Sequence, residues 1–434
     1  MHVDIAVDAT DPATGRTFLT WCPVKGNVRL TDASGAQAPV AVTLRNGGAQ
    51  GGGQVVLDHQ RTDSGSPQLA LQLPLDGSPV EFWVAGEFQH PSLTYGDAAI
   101  EAVDGSGASL GSRDLMVRIR KNAVSLTNAE RDRFLDALGR LNDAGKGPFQ
   151  SFRDTHVAPA YYEAHGLPGF PPWHRAYLLD LERELQSIDD SVALPYWRFD
   201  QPAPALFAQD FLGMPPANPA QGDVIQFPHG HALEFWRTDG NDPIERRPHY
   251  NINGAPPANP SQGTGVISQQ DTLNLGSTYV DFRRYENAPH GYAHTSFQGP
   301  INYVPTAAKD PLFFLLHGNV DRLWAFWQWL NHRNDPASPD SYSVLGAQWP
   351  SNRANGIGHN LPDTIWPWNQ STSPPRPNFT PPRGPMPASP ITTAPGGAPR
   401  IQDMIDYQGV HGGALLGFDY DDVPFELPPG GPVS

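Results

Sequence analysis

The sequence predicts an α+β protein. It reads as an N-terminal β-sandwich-like module over residues 1–118, a mainly α-helical core with long loops over 119–425, and a short tail, 426–434. Three observations carry this expectation. Short apolar or alternating runs separated by turn residues fill the chain up to about Arg120. A helix-start signature stands at Thr127, where the character of the sequence changes. From there to about Leu330, helix-patterned segments alternate with Pro- and Asn-rich connections.

The size and composition agree with this layout. At 434 residues the chain exceeds the usual size of a single core, so one large or two domains are expected. A charged fraction of only 17%, with 43 Gly and 47 Pro, favours long ordered loops over a compact helical bundle. The 11 Trp supply bulky core material. In the β-rich part the runs are Thr17–Cys22, Val40–Leu44, Leu69–Leu73, Val80–Val84 and Leu115–Ile119. Their β-branched and aromatic content, bounded by Gly, Asp, Ser and Pro, reads as antiparallel strands. His2, His59 and His90 have no ligand-like spacing there.

Beyond Ser125, Thr127 followed three residues later by Glu130 is a capping-box pattern. Phe134, Leu135, Leu138 and Leu141 then recur at helical spacing. Residues 200–285 hold no long periodic segment, and His229, His231 and His249 fall there on loops. An HxH pair on a loop is more often solvent-exposed than metal-bound. Residues 335–399 are rich in Pro, Ser and Asn and read as extended chain wrapped over a core. An ordered piece follows, RIQDMIDYQ and then LLGFDYDD.

Charge and cysteine usage narrow the function classes. A formal charge of -16 disfavours nucleic acid and anionic membranes, which reward excess Lys and Arg. The one cysteine, Cys22, forms no intramolecular disulfide. The start MHVDIAVDATDPATG has no apolar signal region, and no apolar run approaches membrane-spanning length. A soluble, cytoplasmic protein is the expectation.

The chemistry lies in two sets of three histidines. His290 and His294, in PHGYAH, project from one face if helical, and His317 follows in DPLFFLLHGNVDR. His156, His165 and His174 form the second set, the last inside FPPWHRAYLLDLE. Imidazoles without a cysteine or carboxylate cluster suit copper, zinc, iron or nickel. The zinc-peptidase pattern HExxH would need Glu at 291, where this chain has Gly291, and a catalytic zinc would use one set only. Two His₃ sites suggest two metals facing each other across a helical bundle, with a small molecule bridging them. For two coppers that molecule is naturally dioxygen. Asp321, four after His317, is placed to receive a ring N–H or anchor the helix, with a surface salt bridge to Arg322 or Arg333 as the alternative. Phe313, four before His317, is placed as an aromatic wall. Glu286, four before His290, is an acid close to the site, unless it pairs with Arg283 or Arg284.

FPPWHRAYLLDLE with VALPYWRFD resembles the CuA half of the tyrosinase, catechol oxidase and haemocyanin family of type-3 copper proteins. RYENAPHGYAH and DPLFFLLHGNVDRLWAFWQ resemble its CuB half. The likeness runs from roughly Arg120 to Tyr420 and implies a four-helix bundle holding two copper ions. Its implied ligands are His156, His165 and His174 for CuA, with His290, His294 and His317 for CuB. Glu286 matches an acid that holds a water near CuB and helps deprotonate phenols. Val304 falls at the gate above CuB, and Thr295, beside His294, joins the residues expected around the site. Phe418-Asp419-Tyr420 matches the motif that closes the catalytic domain. The chain also departs from the family. Gly291 stands where strong monophenol hydroxylases often carry Asn, and Leu316 replaces a frequent histidine. No cysteine lies near His165 to form a thioether, and a C-terminal shielding domain is not expected.

The resemblance implies copper-dependent oxidation of o-diphenols to o-quinones with O₂ reduced to water, and monophenol hydroxylation weak or absent. Full tyrosinase activity, o-aminophenol oxidation and haemocyanin-like oxygen binding are the alternatives. The implied partners are a small phenol and O₂. Oligomeric state has no signal in the sequence.

Overall fold

A computed structural model describes residues 1–35, 37–157, 161–248, 267–349, 356–389 and 391–428. The chain divides into two compact units: one of residues 1–120, 388–394 and 408–434, the other of 121–387 and 395–407. Among the described residues, no helix is long and apolar enough to cross a membrane.

The first unit is built on nine strands: β1 (His2–Val7), β2 (Phe18–Leu19), β3 (Val24–Asp32), β4 (Val40–Asn46), β5 (Val55–Asp58), β6 (Gln68–Leu73), β7 (Val80–Gly86), β8 (Ala98–Val103) and β9 (Ser109–Val117). Strict alternation buries Val3, Ile5 and Val7 of β1, and Leu69, Leu71 and Leu73 of β6, while their neighbours face water. One sheet has the order β1-β3-β7-β5 and the other β2-β9-β8-β4-β6, and all pairs are antiparallel except β2 with β9. Side chains from both sheets, among them Val28, Phe82, Leu44, Ile100 and Leu115, form one apolar core. Gly26 of β3 lies opposite Phe82, where an added Cβ would sit 2.5 Å from the ring, so the register requires glycine there. Of the run Thr17–Cys22, only Phe18 and Leu19 are in a strand.

The C-terminal piece departs from the sequence boundary at 119–425. Residues 408–434 group with the β-rich unit. The buried Asp419 carboxylate accepts from the Trp21 N–H at 3.0 Å, the Cys22 thiol at 3.3 Å and Gln408 Nε2 at 2.7 Å. Trp21 Nε1 donates to the Tyr420 carbonyl, and Arg120 Nη1 to the Tyr420 hydroxyl. A buried carboxylate needs such donors, and here they come from Trp21 and Cys22, between β2 and β3, and from Gln408.

The second unit holds the helices α1 (Asn128–Asn142), α2 (Phe149–Thr155), α3 (Tyr161–Ala164), α4 (Phe170–Ile188), α5 (Gln269–Leu273), α6 (Tyr279–Phe282), α7 (Tyr292–Thr295) and α8 (Leu312–Asn331). Thr127 and Glu130 form the reciprocal capping box at the start of α1. Phe134, Leu135, Leu138 and Leu141 are buried, and α1 packs on α4, which packs on α8. Both α4 and α8 are buried nearly all round, as central helices are. The Pro-rich stretch lies against α4: Trp368 Nε1 and Arg383 Nε donate to the buried Asp180 carboxylate at 2.7 and 2.9 Å, and Trp173 Nε1 donates to the Trp366 carbonyl.

Candidate metal centre

The two central helices each present one histidine to the other. His174 of α4 and His317 of α8 stack with ring centroids 4.2 Å apart and planes 9° from parallel. His156 sits at the C-terminal end of α2, and His165 follows α3. His290 and His294 lie on consecutive helical turns, as their spacing predicts. The extended Ala288 (φ -138, ψ 116) comes before both; His290 lies in a wide helical turn, Asn287–Gly291, that runs directly into α7, which carries His294. Their rings meet, with centroids 4.7 Å apart. In each set of three, the candidate ligand atoms lie within 4.8 Å of one another.

Backbone carbonyls orient four of the rings. Nδ1 of His174 donates to the Phe170 carbonyl at 2.9 Å, and that of His290 to the Glu286 carbonyl at 2.7 Å. Nδ1 of His156 reaches the Val304 carbonyl at 2.9 Å, and that of His294 the Ile301 carbonyl at 2.8 Å. A carbonyl only accepts, so the nitrogen facing it carries the proton and the lone pair is left on Nε2. On the second set, Nε2 of His317 is 3.3 Å from that of His290 and 3.1 Å from that of His294.

Several features fit bound metal. The buried Nε2 atoms of His156 and His174 have no hydrogen-bond partner in the protein, which buried polar atoms rarely tolerate. Burial holds all six imidazoles below their ordinary pKa, His156 at about 3 and His294 at about 4; in all but His294, neighbouring imidazoles add to the effect. They are therefore neutral lone-pair donors at pH 7. Two all-imidazole triads with no thiolate or carboxylate suit a pair of coppers.

Two phenylalanines wall the centre. The Phe313 ring is 4.2 Å from His317 and 4.6 Å from His156, so it touches both sets. Phe170, which the sequence reading did not single out, lies 4.5 Å from His174 and 4.8 Å from His290. It stands four before His174, as Phe313 stands four before His317, and that repeated spacing is the signal that would have found it.

Asp321 is neither a surface ion pair nor an acceptor for His317, whose Nδ1 has no partner. It accepts from Arg175 Nε at 2.6 Å with both groups buried, and Arg175 also donates to Gln328 and to the Met404 carbonyl. The residue after His174 is thereby tied to the helix that carries His317.

Beside the triads opens a cavity of about 580 Å³, lined by His165, Arg283, Glu286, His290, Gly291 and Val304 among others. The half-buried Glu286 accepts the Gly166 N–H at 2.5 Å, which links the residue after His165 to the turn before His290. Arg284 is drawn instead to Asp281, and Arg283 donates to the Leu345 carbonyl at 3.0 Å. A Cβ added to Gly291 would meet only the Glu286 carbonyl, at 3.8 Å. Thr295 donates to the Tyr292 carbonyl within its own short helix. His229 is exposed beside Glu234, and His231 stacks on Phe227. His249 lies outside the described residues. Among the described residues, the two triads are the only clusters fit to hold a metal.

Comparison with known proteins adds a family. The model "Tyrosinase: Common central domain of tyrosinase" matches residues 146–330. A tyrosinase of Streptomyces antibioticus is 32% identical over 284 residues, covering 58% of this chain and 94% of that protein. Hemocyanin 1 of Megathura crenulata is 30% identical over 249 residues, covering 52% of this chain and 7% of that protein. Among solved structures, a functional unit of octopus hemocyanin aligns with a TM-score of 0.44 at 21% identity, covering 71% of this chain and 69% of that one.

Proposed function

The chain belongs to the tyrosinase family of type-3 copper proteins, and on that premise we propose that it oxidises o-diphenols to o-quinones and hydroxylates monophenols weakly or not at all. The observation that carries the reading is one cavity that brings His165, His290, Glu286 and Gly291 to a common space. Two coppers, one that His156, His165 and His174 would hold and one that His290, His294 and His317 would hold, would supply the binding and reduction of O₂. Two catechols and one O₂ give two quinones and two waters.

The chain's own residues supply orientation and proton transfer. Glu286, held by the Gly166 N–H, is the base that takes a phenolic proton through a water. Phe170 and Phe313 keep solvent from the back of the rings. Gly291 leaves that water without the amide that an Asn would offer, which is why catechols are favoured over monophenols. Val304 leaves the entrance open while its carbonyl holds His156. A four-helix bundle around the coppers and a β-sandwich over 1–118 are the finer architectural readings that go with this proposal.

Similarity to a hemocyanin favours a second reading, a reversible oxygen carrier with the same six ligands. The test is to load the protein with copper, add hydrogen peroxide, and record the near-ultraviolet spectrum beside catechol and tyrosine assays. A strong charge-transfer band with fast catechol turnover is the expected result. The band without turnover favours the carrier. Two coppers per chain and no band would mean that the metals are not coupled, against both readings.

A further inference from the structure

The cavity beside the triads contains a cation that neither the metals nor the proton transfer uses. Arg283 and Arg284 both line it, against a single acid, Glu286, in a protein whose formal charge is -16. Arg284 is exposed, lies 3.5 Å from the Asp281 carboxylate and donates to the carbonyls of Asp281 and Leu275. Arg283 is half-buried, and its recorded hydrogen bond is the one from Nη2 to the Leu345 carbonyl. Its guanidinium has no carboxylate within ion-pair distance among the described residues, and the stretches outside them contain no Asp or Glu. Three buried arginines elsewhere do have a carboxylate partner: Arg175 with Asp321, Arg246 with Asp310 and Arg383 with Asp180.

A partly desolvated guanidinium without a counter-ion is a costly arrangement that an anion relieves. The same cavity is open enough for a substituted ring and presents His290 and Glu286 to it. Gly346 lies on the same wall, and the buried Nη1 of Arg283 has no hydrogen-bond partner in the protein. Resting on the phenol-oxidase reading above, we infer that Arg283 makes this cavity selective for phenols that carry a carboxylate on a short side chain. The ring hydroxyls face the triads, and the carboxylate accepts from the guanidinium. The Arg283 guanidinium itself repels a cationic side chain in the same place.

Binding and turnover separate this inference from the reading on which it rests. The copper-loaded protein is titrated calorimetrically with 3-phenylpropionate, 3-phenylpropionamide and 3-phenylpropylamine, none of which can be oxidised as a catechol. The acid should bind roughly tenfold tighter than the amide, on the scale of one charge-assisted hydrogen bond in a half-buried site, with the amine weakest. In Arg283→Gln the acid-to-amide ratio should fall to about one, and in Arg283→Lys it should keep part of its value. In parallel, kcat/KM is measured for 3-(3,4-dihydroxyphenyl)propionate and its amide, where the same ratio should appear in KM rather than kcat. Amide or amine binding as tight as the acid by the wild-type protein overturns the inference, as does a ratio unchanged in Arg283→Gln. Failure to oxidise either catechol, with the binding preference intact, would overturn the oxidase reading alone.

Discussion

The two histidine triads use the same residue type and are held in different ways. In the second, His290 takes its carbonyl from Glu286, four residues back, and His294 from Ile301, seven residues on. In the first, His174 likewise uses its own helix, but His156 depends on Val304, 148 residues away. The first triad is thus completed by chain that belongs to the second. The cavity is asymmetric too: it meets the first triad at His165, and the second at His290 with Glu286 and Gly291 beside it. The difference teaches that the first triad is the closure of the fold, while the second carries the substrate side.

The largest effect is expected from breaking the stacked pair of His174 and His317 that joins the triads. His174→Ala or His317→Ala should lower copper from two to about one per chain, as read by metal analysis. Catechol oxidation should fall at least about 1,000-fold, because the metal chemistry accounts for several kcal/mol of the barrier. Asp321→Ala should come next. It leaves Arg175 buried without its carboxylate, at a cost of about 3 to 5 kcal/mol, and urea unfolding of the copper-free protein reads it directly.

Two smaller effects sharpen the asymmetry. Glu286→Gln keeps an acceptor for the Gly166 N–H and removes the base. Catechol kcat should drop about 100-fold with two coppers still bound, a loss confined to the second triad's side. A matching loss of copper would assign Glu286 to structure instead. Gly291→Asn should act least, raising the ratio of monophenol to diphenol activity about threefold to tenfold, the scale of one added hydrogen bond. The site has room for the side chain, so an unchanged ratio would reject the water-orienting role and not merely reflect a clash.

Much of this centre was legible in the chain, because short-range spacing has direct geometric meaning. The six histidines, the FxxxH step before His317, the Thr127–Glu130 cap and the alternation of β6 each report which side of a local element is buried. The spacing of His290 and His294 reads correctly too, since both lie on consecutive helical turns after the extended Ala288. The same logic failed at the end of Thr17–Cys22, where Trp21 and Cys22 serve the buried Asp419 through backbone and thiol donors rather than as strand.

By itself, the sequence determined the donor set and its number: two groups of three imidazoles, without thiolate or carboxylate, and the apolar segments that would bury them. Only the tertiary structure decided which carbonyls orient those rings, that Asp321 ties α8 to Arg175 of α4, that Arg283 shares a cavity with the triads, and that residues 408–434 join the β-rich unit. The reason is physical. A carbonyl acceptor exists at every residue and leaves no trace in residue identity, and a buried charge takes whichever partner the packing brings within reach.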